Sequence, residues 1–167
     1  DVVGDKQRFS VDPSYDELKR EQLDATLVVT NPKANFYIES NWWDSLSLSD
    51  QHGTRQTLIA LSQDFEQVIY PSLTQVFGSE WKPGIDNNEA ITVLLHLMRQ
   101  DAGGYTNYGD EYPKVQNPKS NEREMVYVNL RHLQNSLVKT YLAHEFTHLV
   151  TFNQKDKMRN VSEETWL

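Results

Sequence analysis

Short runs of alternating hydrophobic and polar residues open the chain, over residues 7–11, 25–30 and 36–39. Alternation with a period of two turns one side of a strand toward a core and the other toward solvent, so these runs predict three β-strands. Asn31-Pro32-Lys33 lies between the last two runs and favours a turn. Residues 1–48 are therefore predicted to form a small β segment, to which the sequence assigns no chemistry.

The middle of the chain changes to a helical spacing. Over about residues 49–77, apolar residues recur every three or four positions and predict a long helix, which Pro71 should kink or split and Gly78 should end. Trp42 and Trp43 precede it and are interpreted as an aromatic plug between sheet and helix, in preference to a partner surface. The predicted apolar side of the helix comprises Leu58, Leu61, Phe65, Val68, Ile69, Leu73 and Val76.

Two further runs predict strands in the second half of the chain. Residues 90–98 are almost continuously apolar, which is typical of a strand buried on both faces, and residues 124–130 alternate. Between them, residues 100–121 predict a long loop rich in glycine, tyrosine, proline and acidic residues. Such a loop could hold a calcium ion or present tyrosines to a substrate. A solvated surface loop is the simpler interpretation, and the spacing does not match an EF-hand.

The last periodic stretch carries the strongest chemical signal. Residues 137–155 favour a helix, because neither glycine nor proline interrupts them and Asn135 or Ser136 can cap the start. Within this helix, residues 144–148 read His-Glu-Phe-Thr-His, the H-E-x-x-H pattern of zinc peptidases. One face can seat the helix on a core and a second face can line a cleft. The first face comprises Val138, Leu142, Phe146, Leu149 and Val150, and the second comprises Tyr141, His144 and His148.

The spacing of this pattern has a chemical reason. Residues four apart lie on one helix face about one turn apart, so His144 and His148 can direct their imidazoles at one ion. Glu145 is rotated by about 100° and can reach a water on that ion without joining its coordination shell, which makes Glu145 the candidate general base. Zinc lowers the pKa of a water that it binds and polarises a carbonyl group, so the pattern predicts amide hydrolysis. Two solvated histidines on a helix surface are the alternative.

Composition excludes some classes of partner but does not determine the fold. The chain has 167 residues, 38% of them hydrophobic, which is enough for one domain with a core. Sixteen Lys and Arg against 24 Asp and Glu give a net charge of −8 without a basic cluster, so neither nucleic acid nor an anionic membrane is an expected partner. No apolar run approaches the roughly 20 residues of a membrane span. With no cysteine, only histidine and carboxylates remain as strong metal ligands.

Three stretches resemble a known family. They are SNEREMVYVNL at 120–130, AHEFTHLVTFNQK at 143–155 and EETWL at 163–167, and they are similar to the hyicolysin-like neutral zinc metallopeptidases of bacteria, a branch of the gluzincins. The resemblance implies an α+β fold whose residues 49–167 form a zincin-like upper subdomain, with a mixed sheet packed on a long helix and the H-E-x-x-H helix. It also implies a secreted or cell-surface endopeptidase that holds Zn2+ through His144 and His148 and uses Glu145 as general base.

The chain departs from the family pattern at the position of the third zinc ligand. In gluzincins it is a glutamate on a following helix, within an Asn-Glu-Gly run directly after Trp-Leu, whereas this chain ends at Trp166-Leu167. The resemblance therefore places the ligand just beyond Leu167 and implies an incomplete catalytic domain, inactive alone. The remainder would come from the same polypeptide or from a separate chain.

Three residues inside the chain are alternative ligands. Glu163 and Glu164 follow His148 more closely than the family pattern requires, and Glu164 better resembles a residue that supports the ligand. His96 is favoured as a hydrogen-bonded core histidine, because the third ligand normally lies beyond the H-E-x-x-H helix.

Zinc-dependent endopeptidase is the function that these observations predict. Residues 124–130 are the candidate for an edge strand on which an extended peptide substrate adds as a further strand. One alternative is a non-catalytic binding or adhesion module that retains a peptidase fold. A zinc aminopeptidase is less favoured, because no G-x-M-E-N-like segment precedes the helix.

Overall fold

Six strands form one mixed sheet in the computed structural model, which describes residues 1–164 and the side chains of residues 1–155. The strands are β1 (Lys6–Ser10), β2 (Gln22–Thr30), β3 (Ala34–Glu39), β4 (Ile91–His96), β5 (Gly104–Tyr105) and β6 (Met125–Asn129). Their order across the sheet is β1-β2-β3-β4-β6-β5. Strands β3, β4 and β6 run parallel, and β1, β2 and β5 pair antiparallel with their neighbours. The mixed sheet with helices confirms the predicted α+β class.

The three predicted N-terminal strands are confirmed as β1, β2 and β3. The turn predicted at Asn31-Pro32-Lys33 joins β2 to β3, and the Asn31 side chain accepts hydrogen bonds from the amides of Lys33 and Ala34. Because β3 pairs with β4, these strands extend the same sheet that carries the later strands. The boundary predicted between residues 48 and 49 falls in the first turn of the second helix and stays a prediction.

Four α-helices accompany the sheet: α1 (Ser40–Ser45), α2 (Leu48–Asp64), α3 (Tyr70–Phe77) and α4 (Leu137–Glu164). Helix α1 places Trp43 in the core, which confirms the predicted plug for that residue. Gly78 ends α3 with a φ of 88°, as predicted, since glycine adopts that conformation without steric cost. Within the described residues, none of the helices combines the length and apolar composition needed to cross a bilayer.

The long central helix is interrupted by a π-helical turn, Phe65–Ile69, directly before α3. Proline has no N–H, and its ring clashes with the carbonyl four residues earlier, so the wider turn absorbs the misfit that Pro71 introduces. The turn also changes the helical phase. Leu58, Leu61 and Phe65 are buried as predicted, whereas the prediction is wrong for Val68 and Val76, which are exposed.

Both faces of the sheet are buried. The helices cover one face, where residues such as Ile38, Val93 and Val128 contact the π-helical turn and α4. The opposite face forms a second cluster around Tyr37, Leu94 and other residues. Every residue of β4 is buried, which confirms the prediction that this strand is enclosed on both sides. The sheet therefore gives α4 a rigid base and leaves only the outer face of that helix free.

Candidate metal centre

Helix α4 has the two faces that its sequence predicts. The Asn135 side chain accepts a hydrogen bond from the Leu137 amide at 3.0 Å, which confirms this residue as a cap. The apolar stripe is buried, and the Phe146 ring contacts Phe65 at a centroid distance of 5.1 Å and Tyr70 at 5.4 Å. This packing fixes the rotation of the helix about its axis. It leaves His144 and His148 exposed.

The two histidine rings converge. Their Nε2 atoms lie 2.9 Å apart and their ring centroids 4.5 Å apart. Two nitrogens bound to one tetrahedral zinc ion, each at 2.0–2.1 Å, are about 3.4 Å apart. A small rotation of the rings would therefore accommodate the ion. The donor set of two exposed imidazoles one turn apart fits zinc.

A complete set of ligands is not present in the described part of the chain. Among side chains up to residue 155, no three His, Asp or Glu residues group as a metal site. The side chains of Glu163 and Glu164, and the Trp166-Leu167 pair, lie outside the described residues, so the predictions that concern them stay predictions. The two histidines account for two of the four positions of a tetrahedral ion.

His96 is the core histidine that the sequence favoured. Its ring is fully buried, with Nδ1 3.1 Å from Asp16 Oδ1 and Nε2 3.1 Å from the Tyr105 hydroxyl. Asp16 is paired in turn with Arg20 at 2.7 Å. With both ring nitrogens occupied by side-chain partners, His96 is not free to bind a metal ion.

Glu145 lies beside the two imidazoles but is 7% exposed. Its Oε2 accepts a hydrogen bond from the Thr106 hydroxyl at 2.9 Å, and the same hydroxyl lies 3.2 Å from the Glu145 carbonyl oxygen. Burial raises the pKa of Glu145, while the Thr106 hydrogen bond and the charges of His144 and His148 act in the opposite direction. Oε1 accepts no hydrogen bond from the described residues and is not fully buried. The carboxylate thus has one held oxygen and one accessible oxygen.

Strand β5 brings the sheet edge against Glu145, and the sequence did not predict this strand. A Cβ at Gly104 would collide with the backbone oxygen of Tyr127 and would lie 3.1 Å from Glu145 Cγ. A Cβ at Gly103 would collide with the Tyr141 ring. Glycines at these two positions let the edge strand lie beside β6 and close against α4. The Gly103-Gly104 pair was the available signal, since adjacent glycines often mark a close approach of the backbone.

The edge strand is β5, so the prediction that residues 124–130 form it is wrong. Strand β6 lies between β4 and β5, and both of its sides are paired. The Asn129 amide donates to the Gly103 carbonyl at 2.9 Å. The alternation of an antiparallel ladder therefore turns the N–H and C=O of Gly104 away from β6, toward the free edge.

The loop predicted over residues 100–121 is only partly a solvated surface loop. Asp110 is buried, and its carboxylate accepts hydrogen bonds from the Tyr127 hydroxyl and from the Asn121 amide at 2.8 Å. Burial raises the pKa of Asp110 to about 6. Tyr108 stacks on Phe152 of α4 at a centroid distance of 4.4 Å. Because Asp110 is used in this way and the described side chains contain no group of three ligands, the calcium prediction gains no support.

Comparison with known proteins gives one distant similarity. No protein-family model matches the chain. The chain is similar to the neutral metalloprotease ShpI of Staphylococcus hyicus, with 24% identity over 137 residues. The match covers 72% of this chain and 30% of that protein, so the chain spans less than a third of the length of this relative. This similarity supports a distant relationship to a metallopeptidase.

Proposed function

We propose that the chain carries the metal-binding and general-base part of the active site of a zinc-dependent endopeptidase. The observation that carries the proposal is the convergence of His144 and His148, with Nε2 atoms 2.9 Å apart, beside a buried glutamate that keeps one oxygen accessible. The distant similarity to a neutral metalloprotease supports a hydrolytic reaction. The zincin-like interpretation of the fold and a secreted or cell-surface location form part of the proposal through the family resemblance.

The residues of α4 have separate roles in this proposal. His144 and His148 would hold zinc, and a third protein ligand would come from outside the described residues. When bound, zinc would supply Lewis acidity for the substrate carbonyl and a water of lowered pKa. Glu145 accepts the proton of the attacking water at Oε1 and delivers it to the amine that leaves. Burial raises the pKa of Glu145, which favours uptake of a proton by this carboxylate.

An extended peptide is the substrate that the site would accept. The N–H and C=O of Gly104 are directed to the free edge of β5, where a peptide backbone can pair with them as an additional strand. Because the same glycine lies against Glu145 Cγ, a peptide on this edge would pass close to the general base. The substrate class is therefore an unstructured or locally extended protein segment.

The test is Glu145→Gln in the full natural polypeptide loaded with zinc, assayed on casein. We expect cleavage to fall by about 100-fold to 10,000-fold with the zinc content unchanged, because the amide cannot take up a proton. Glu89→Gln is the matched control, since Glu89 is an exposed glutamate far along the chain from α4. Native cleavage by Glu145→Gln would exclude the proposed reaction. A native protein that binds no zinc and cleaves nothing would instead be a binding module.

A further inference from the structure

Thr106 connects the sheet edge to the candidate general base. It follows β5 directly, and its hydroxyl lies 2.9 Å from Glu145 Oε2, although 39 positions separate the two residues in the chain. A threonine hydroxyl has one proton, and the carboxylate is both the closer and the more strongly accepting partner. The Glu145 carbonyl also belongs to the helical hydrogen-bond ladder. The Thr106 hydroxyl therefore donates its hydrogen bond to the Glu145 carboxylate rather than to the helix backbone.

The segment that carries Thr106 is fixed from both sides of the sheet. Gly104 faces α4, and the following Tyr105 faces the opposite side, where its hydroxyl accepts from the Asp12 amide at 3.1 Å. The Tyr105 ring stacks on Tyr127 at a centroid distance of 4.2 Å, and its hydroxyl meets His96 Nε2 at 3.1 Å. Successive side chains of an extended segment point to opposite faces. Thr106 is thus directed back toward α4 on an anchored backbone.

This geometry restricts a side chain that is flexible in isolation. Glutamate has three rotatable side-chain bonds, and Glu145 is confined at two places: Gly104 lies against Cγ, and Thr106 holds Oε2. Oε1 accepts no hydrogen bond from the described residues. We propose that Thr106 is a positioning residue, which holds Oε2 so that Oε1 is directed at the attacking water. The inference rests on the proposed function.

The experiment compares Thr106→Val and Thr106→Ser in the full natural polypeptide with zinc bound. Valine keeps the shape and removes the hydroxyl, whereas serine keeps the hydroxyl. We expect Thr106→Val to lower kcat by about 10-fold to 100-fold, since small misplacement of a catalytic group has effects of that size, and to leave KM and zinc content nearly unchanged. Thr106→Ser should recover most of kcat. Thr74→Val is the control, because the Thr74 hydroxyl donates to the Tyr70 carbonyl at 2.7 Å, within α3 and not to a residue of the candidate metal centre.

A readout independent of activity is the crystal structure of Thr106→Val. We expect the native Glu145 side chain in one conformer on Thr106 and the variant side chain in more than one. A single native-like conformer in the variant would contradict the positioning role, and so would a kcat within twofold of native or a Thr106→Ser variant as impaired as Thr106→Val. If Thr106→Val does not fold, Thr106→Ala replaces it, and kcat is then calculated per mole of zinc-bound protein.

The outcome of Glu145→Gln separates this inference from the proposed function. If Glu145→Gln abolishes cleavage and Thr106→Val does not impair it, only the positioning role is wrong. If Glu145→Gln cleaves normally, the proposed function is wrong and the positioning role is excluded with it.

Discussion

Two buried glutamates show what distinguishes a candidate base from a structural acid. Glu145 and Glu124 are both buried, and burial raises the pKa of each. Glu145 has Oε2 held by Thr106 and Oε1 accessible, beside two exposed imidazoles. Glu124 has Oε1 held by the Ile85 amide at 3.1 Å, whereas its Oε2 is buried without a partner. Burial is common to both, so the accessible oxygen and the neighbouring imidazoles make the difference.

The two surroundings also differ in charge. The neighbours of Glu145 include the two histidines, whose charges act to lower the pKa of Glu145. The neighbours of Glu124 include the acidic residues Asp86 and Glu80, whose charges act with burial to raise the pKa of Glu124 to about 7. Glu80 itself has a buried Oε2 without a partner. We therefore expect changes near Glu145 to alter activity and changes at Glu124 to alter stability.

The largest effect should come from removing a proposed metal ligand. On the proposed function, we expect His148→Ala to lose zinc and to lower cleavage by at least about 1,000-fold, because the proposed metal would activate both the water and the carbonyl. Zinc content by atomic absorption and casein cleavage measure the two losses. His52→Ala is the control, since His52 is an exposed histidine on α2. Full zinc content in His148→Ala would contradict the assignment of this ligand.

A smaller effect is expected from closing the gap between the sheet edge and α4. Gly104→Ala would push a methyl group against the Tyr127 backbone oxygen and close to Glu145 Cγ, so the edge strand or the glutamate must move. We expect cleavage to fall by about 10-fold to 100-fold and the unfolding midpoint to fall as well. Steady-state kinetics and thermal unfolding check the two results.

Gly53→Ala is the matched control for that change. A Cβ at Gly53, within α2, has no atom within 4 Å. Alanine in a helix interior stabilises by about 0.5–1 kcal/mol relative to glycine, so this variant should be slightly more stable and fully active. Equal behaviour of the two alanine variants would show that the close approach at Gly104 has no role.

The smallest effect on activity, with a clear effect on stability, is expected from Glu124→Gln. The folded-state pKa of about 7 lies above the ordinary value of 4.5. The folded protein therefore binds the proton more tightly than the unfolded chain between about pH 4.5 and 7, and its stability decreases as the pH rises through that window. Glutamine does not ionise, so Glu124→Gln does not lose stability in this way. Its free energy of unfolding should exceed that of the native protein by about 1 to 3 kcal/mol at pH 8 and be similar at pH 4.5.

Urea unfolding of the native protein and of Glu124→Gln, at pH 4.5 and at pH 8, measures the difference between their free energies of unfolding. Glu89→Gln again serves as the exposed control. A variant that is less stable than native at pH 8 would mean that the charged form of Glu124 is favourable in the folded protein.

The sequence predicted the parts of the molecule that depend on periodicity. The stripe on α4 and the N-terminal strands repeat a simple spacing over several residues, and the buried strand β4 is a continuous apolar run. The exposed pair of His144 and His148 follows from the same helical geometry. Such elements can be predicted from the sequence because residues a fixed number of positions apart have the same environment.

The parts that were missed depend on contacts between distant segments. Strand β5 has two residues, too few for a period to appear, and the absence of side chains at Gly103 and Gly104 lets it lie beside β6 and close against α4. The bond between Thr106 and Glu145 joins residues from a loop and a helix, and no local pattern encodes it. The π-helical turn could not be predicted for another reason. Pro71 predicts an irregularity in the helix but does not determine which kind.

X-ray absorption at the zinc edge tests the central claim most directly, with the full natural polypeptide as the sample. We predict one zinc ion per polypeptide, with scattering from two imidazoles at about 2.0–2.1 Å and from only one in His148→Ala. A zinc spectrum without imidazole ligands, or one that His148→Ala leaves unchanged, would contradict the assignment of His144 and His148 as the metal pair.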